Sequence, residues 1–152
     1  MSDALGIEVL RSLANDPQRA SSHVLELLQT LKSSDVETAG WAADALQVID
    51  TLDGAQAKAV MDCCSDCDEA VAGAACMLLT KLPAVSPDQQ HCIAAVLDNH
   101  RSIYARQQAA LAMSKIKPLC DGAVETLRKA STADDARLAR LATQALEQLE
   151  TV

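Results

Sequence analysis

Cysteine is the residue type in this chain best able to do chemistry. Three of the six cysteines crowd into Cys63-Cys64-Ser65-Asp66-Cys67. Cys64-x-x-Cys67 has the spacing at which two thiolates grip one zinc ion, and Cys76 or Cys92 could approach from neighbouring helices. A structural zinc site wants four ligands, usually from two such pairs, and the chain holds one pair. The same three thiols could oxidise to one another. The plainer reading is that reduced cysteine acts as a small apolar filler. No metal and no cofactor is expected, and a redox role for Cys63, Cys64 and Cys67 stays open.

Other constellations are weaker. His91-Cys92 is no dyad by adjacency, because neighbours on a helix point about 100° apart. Asp62, Asp66, Asp68 and Glu69 form an acidic run without the spacing of a calcium loop, which predicts a solvated acidic turn. None of the five glycines forms a G-x-G-x-x-G or Walker pattern, and no G-x-S-x-G occurs. The chain therefore reads as a non-enzyme with no catalytic residues.

Composition bounds the fold. Hydrophobic residues make up 49% of the 152 residues, yet the aromatics are Trp41 and Tyr104 alone. There are 28 Ala and 20 Leu. These are strong helix formers, while strand formers are scarce, so an all-α fold is expected. The net charge is −8, concentrated in residues 1–76, with 13 acidic and 4 basic side chains. An acidic half repels phosphate backbones. That argues against nucleic acid and favours a basic protein or peptide partner. The N-terminus lacks the basic and apolar regions of a secretory signal, and no apolar stretch is long enough for a membrane span. A cytoplasmic protein with reduced thiols and no membrane association follows as the expectation.

The elements that must position these residues repeat. Thr38–Ile49, Val71–Leu82, Ala105–Ile116 and Leu138–Leu149 align without gaps, their last residues 33, 34 and 33 apart. Self-similarity at that period marks a stacked helical-repeat solenoid. Each repeat reads as a first helix (A) and a second helix (B), the aligned segments being B. The A helices are placed from Asp16-Pro17 to about Lys32, from Asp53 to about Cys64, from Ser86-Pro87 to about Asp98, and from Asp121 to about Ser131. Ser34-x-x-Glu37 reads as a capping box opening a B helix, and Asp66-x-x-Glu69 and Thr132-x-x-Asp135 resemble one. A cap helix near residues 3–14 precedes them, giving nine helices in one domain over residues 1–152. The cap and the polar final turn (Glu147, Gln148, Glu150) read as the two ends of a complete stack. Gly40 and Gly73 share one phase of successive B helices, which predicts close backbone approach or a bend.

The B helices resemble the HEAT family, in particular the short HEAT-like repeats first described in phycobilisome lyases. Ala42-Ala43-x-Ala45-Leu46-x-x-Ile49 and Ala109-Ala110-x-Ala112-Met113-x-x-Ile116 carry the resemblance, and Ala75–Leu82 and Ala142–Leu149 follow less fully. The family's arginine is present only at Arg106; Ala39, Ala72 and Ala139 stand in the other repeats. The resemblance covers residues ~17–150. It implies a right-handed α-α superhelix of about four helix pairs whose B helices line the concave face, acting as a scaffold or adaptor.

At 100° per residue, one face of the first B helix holds Thr38, Ala42, Ala45, Leu46 and Ile49, and this face should be core. A flank about 125° away reads Glu37, Trp41, Asp44, Val48; then Ala70, Ala74, Met77, Lys81; then Tyr104, Gln108, Leu111, Lys115; then Arg137, Leu141, Gln144, Gln148. Trp, Tyr and Met are common interface anchors. The candidate partner-binding residues are Trp41, Asp44, Met77, Tyr104, Gln108 and Leu111; the competing reading is that the flank packs between repeats. Two further functions stay open. One is a homo-oligomer formed through uncovered Leu138, Leu141 and Leu149; the other is an accessory subunit of a modifying enzyme.

Overall fold

A computed structural model describes residues 5–150. Ten α-helices and no strand occur among them. They are α1 (Ile7–Leu13), α2 (Pro17–Ser22), α3 (Val24–Thr30), α4 (Val36–Gln47), α5 (Gly54–Cys63), α6 (Glu69–Leu79), α7 (Pro87–Asn99), α8 (Ile103–Met113), α9 (Asp121–Ala130) and α10 (Ala136–Glu150). The B helices are α4, α6, α8 and α10, and the cap is α1. Residues 3 and 4 of the expected cap helix lie outside the described residues.

One expected helix is two. The first A helix breaks at His23, whose backbone sits at φ −112° and ψ 20°. Ser21, Ser22 and His23 are indifferent helix formers. The Ser22 hydroxyl turns back on the Gln18 carbonyl at 3.2 Å, a bond that competes with the regular ladder. The break leaves the Ser21 carbonyl to accept from Gln56 Nε2 of the next repeat at 2.8 Å.

The B helices start one to three residues later than the capping-box pattern places them. Their side-chain caps are Asp35, Asp68, Ser102 and Asp135, again 33, 34 and 33 apart. Asp35 accepts from the Thr38 N–H at 3.3 Å, Asp68 from the Ala70 N–H at 2.9 Å, Ser102 from the Ala105 N–H at 3.3 Å and Asp135 from the Leu138 N–H at 2.8 Å. Each satisfies a donor that the first turn otherwise leaves orphaned. Among the A helices, Asp53 with Gln56 and Ser86 with Gln89 form complete capping boxes, and Asp16 caps α2 ahead of Pro17. Asp121 is not a cap. It is the first residue of α9, and Cys120 precedes it with no side-chain bond of its own.

The core follows the helical phase. In α4, Ala42, Ala45 and Leu46 are buried with Ile49, and α6, α8 and α10 bury Val71, Ala75 and Leu79, Ala105, Ala109 and Met113, and Leu138, Ala142 and Ala145. Thr38, Leu82 and Leu149 at the edges are half-buried. The two glycines differ. A Cβ on Gly40 meets nothing within 4 Å, whereas one on Gly73 meets Gln108 Cγ at 3.2 Å and Cβ at 3.3 Å. Close approach is the role of Gly73, between α6 and α8, and not of Gly40.

The layers stack unevenly. On the B side α6 lies along α8 and α8 along α10; on the A side α7 lies along α9. The cap α1 packs on α4. Between the first and second repeats, however, α4 and α6 barely touch, and α3 bridges to α5 and α6 instead. Gln90 on α7, 3% exposed, is the one buried polar residue among those described. It donates to the Val85 and Pro118 carbonyls at 2.9 and 3.2 Å and accepts from the Cys120 N–H at 2.7 Å. No described helix is long and apolar enough to cross a membrane.

Candidate functional site

The gap between α4 and α6 opens as a cleft of about 460 Å³ on the B face. Its floor is apolar: Leu31 from the A layer, Ala43 and Leu46 from α4, and Ala70, Gly73, Ala74 and Leu78 from α6. Small side chains, Ala43 on one helix and Ala70, Gly73 and Ala74 on the other, line the space between them. The rim is polar, with Gln47, Lys81, Gln108, Lys115 and Tyr104, and Met77 stands on the α6 side. Tyr104 is 47% exposed. On the same side, Gly73 lets the Gln108 stem lie against the α6 backbone.

The expected flank meets this cleft repeat by repeat. All four α6-repeat positions line it: Ala70, Ala74, Met77 and Lys81. From α8, Tyr104, Gln108 and Lys115 line it, and half-buried Leu111 does not. From α4 none of the four does. The cleft uses Ala43 and Gln47 there, a face rotated by about 100° from Asp44. Asp44 is exposed outside the cleft. Trp41 is half-buried and belongs to the junction with the cap, where the Arg11 guanidinium lies 5.2 Å from its ring centre. Arg11 also faces Glu37 at 3.6 Å. Thus Met77, Tyr104 and Gln108 come together, while Trp41, Asp44 and Leu111 stand apart from them. No flank residue described is fully buried, yet Gln108 and Tyr104 of the flank also pack on Gly73 of the preceding repeat, so on α8 the flank serves both the cleft and the contact between repeats.

Electrostatics separates the cleft from the rest of the chain. No Asp or Glu lines it, in a protein of net charge −8. Lys81 donates to the Gln47 carbonyl at 3.1 Å, a single strut across the gap. Lys115 forms no ion pair among the described residues.

Three of the four acids in the run, Asp66, Asp68 and Glu69, take structural roles, and Asp62 is exposed. Lys32 pairs with Asp66 at 2.8 Å; that bond, and a second from the Asp68 N–H, hold the Asp66 carboxyl below its ordinary value. Asp68 caps α6, and Glu69 accepts from the Ser102 hydroxyl of the next repeat. His100 Nδ1 accepts from the Ser102 N–H at 3.0 Å, which leaves Nε2 to donate to the Asp66 carbonyl at 3.0 Å. Gln107 donates to Asp135 at 3.0 Å. These bonds link the turns of successive repeats. Arg106 donates to the Leu97 carbonyl at 2.8 Å.

The cysteines divide by burial. Cys64 is buried with its thiol hydrogen-bonded to that of Cys76; this bond and burial both hold it protonated. Burial also pushes the Cys63 and Cys92 thiols up. Cys67 is exposed, so the members of the C-x-x-C pair lie on opposite sides of the surface. Among the described residues no three His, Cys, Asp or Glu side chains converge as a metal site needs.

No family model and no curated protein matches the chain. Solved structures do. One engineered protein is similar at a TM-score of 0.54 and 20% identity, over 94% of this chain and 72% of its own. A second engineered protein gives 0.53 at 21% identity, over 95% of this chain and 44% of its own. A designed armadillo repeat protein aligns at 13% identity over 94% and 92% of the two chains, with a TM-score of 0.34 that is too low to argue from. Identities at this level speak for the fold alone. Together with the four stacked helix pairs, they show an all-α helical-repeat solenoid.

Proposed function

We propose that this solenoid is a non-catalytic scaffold that binds a protein or peptide in the α4/α6 cleft, and that its repeats are of the short HEAT-like type. The observation that carries the reading is the cleft itself. It interrupts an otherwise continuous B layer, keeps Met77, Tyr104 and Gln108 accessible on one wall, and leaves apolar core side chains at its floor. Concave sites with an apolar floor and a few placed polar groups are where ligands dock. The B-helix motif around Ala42–Ile49 and Ala109–Ile116 supports the HEAT-like assignment.

Self-association through the last helix is less favoured. It requires uncovered leucines; Leu138 is fully buried against the stack, and Leu141 and Leu149 are half-buried. The test is affinity purification from the native cell with three baits: wild type, Met77→Ala/Tyr104→Ala and Trp41→Ala. A partner kept by the first and third and lost by the second, with all three melting alike, places the site in the cleft. Loss only with Trp41→Ala moves it to the cap junction.

A further inference from the structure

We infer that the cleft takes an acidic peptide: an extended segment presenting one bulky apolar side chain beside a carboxylate. The inference rests on the reading of the cleft as the partner site and names the chemistry it would recognise.

Three features point the same way. The floor of alanines, Leu46 and Leu78 offers apolar contact without polar groups. The rim carries two ammonium groups and no carboxylate, against the sign of the whole chain. Both lysines follow helix C-termini, where a cation is favoured anyway. Lys81 nevertheless spends one N–H on Gln47, and an ammonium has three. Lys115 is exposed and forms no ion pair among the described residues. The third feature is the two carboxamides on opposite walls, Gln47 and Gln108. Each can donate and accept at once, which suits the alternating N–H and C=O of a peptide backbone. The cleft is open to solvent and not enclosed, so a peptide segment suits it better than a compact small molecule, which needs most of its surface enclosed. The overall charge of −8 acts at longer range and is screened over about 8 Å in physiological salt; the groups that touch an occupant are the lysines.

The experiment selects a displayed library of random peptides of about a dozen residues against the full chain, in about 0.15 M salt. Enriched peptides are then made with a fluorophore and titrated by anisotropy. The expected result is enrichment of Asp or Glu next to Leu, Ile, Met or Phe. Affinity should fall about 3- to 10-fold with Lys115→Glu and be lost with Ala74→Trp, which fills the trough. If Ala74→Trp fails to fold, Tyr104→Ala serves in its place. Basic or uncharged peptides blocked by the trough variant overturn the acidic preference and leave the site standing. Acidic peptides indifferent to the trough variants overturn both. So does a library that yields no binder. A chain that self-associates, and stops doing so with Ala74→Trp, has a second copy as its occupant, which also overturns the inference.

Discussion

Gln90→Met removes the hydrogen bonds of one buried carboxamide and little else. The replacement keeps the side-chain length and volume, so no large cavity opens. What goes are three hydrogen bonds, to the Val85 and Pro118 carbonyls and from the Cys120 N–H. Each is neutral, and such bonds contribute about 0.5–1.5 kcal/mol net. Because the residue is 3% exposed, water does not replace Gln90 readily. The loss should therefore be about 2–4 kcal/mol, which for a chain of this length lowers Tm by roughly 5–15 °C. Urea unfolding followed by circular dichroism reads the first number. Exchange of the Cys120 amide reads the cause, since that N–H loses its acceptor. Because the junction leads into α9, the transition should also broaden, with the last pair opening first, as expected where repeats contact only their neighbours. A variant within 0.5 kcal/mol of wild type, with the Cys120 amide still protected, would refute the idea that Gln90 ties the third repeat to the fourth.

Three further outcomes are expected. Gly40→Ala should stabilise by about 0.5–1 kcal/mol, since an exposed mid-helix glycine gains propensity there and meets nothing. Gly73→Ala should gain less or lose, because its Cβ would press on Gln108; equal gains in urea melts would sink the close-approach argument. In maleimide labelling read by intact mass, exposed Cys67 should react first and buried Cys63, Cys64 and Cys76 last. Labelling of Cys64 as fast as Cys67 would contradict that order. The carboxyls of Asp35, Asp66 and Asp135 are held below the ordinary 3.8: Asp35 mainly by the Thr38 hydroxyl, Asp66 by Lys32 and Asp135 by the Leu138 N–H. A depressed folded value adds stability that is fully present above the unfolded value and is lost as pH falls through the folded one. The urea midpoint should thus hold from neutral pH down to about 5 and drop below about 4. Asp66→Asn/Asp135→Asn should flatten that drop, and an unchanged pH profile would show that other groups cause it.

Much of the fold was legible in the chain because it is written locally. The period, the helix pairs and the core phase follow from spacings of three, four and thirty-three residues, and Ala42, Ala75, Ala109 and Ala142 fall in the core as that phase requires. The B-helix caps were misread by one to three residues. Ser34, Asp66 and Thr132 each match a capping pattern, and only placement in three dimensions gives the role to Asp35, Asp68 and Asp135. The break at His23 is not legible in the chain, because Ser21–His23 is only weakly unfavourable to helix and the bond from Gln56 to the Ser21 carbonyl comes from 35 residues away.

The candidate site divides along the same line. Phase alone put Met77, Tyr104 and Gln108 on one flank of their helices, because a helix fixes side-chain direction by residue number. It also put Trp41, Asp44 and Leu111 there, and those stand outside the cleft. What separates them is how far apart neighbouring helices lie and how they are rotated. That depends on side chains distant in sequence: Gly73 admits Gln108 on one side, and on the other α3 packs on α6 where α4 does not. The sequence by itself determined that this protein is a stack of amphipathic helix pairs. Only the tertiary structure decided where the stack opens, because contacts between helices are set by the shapes of both surfaces and not by either one alone.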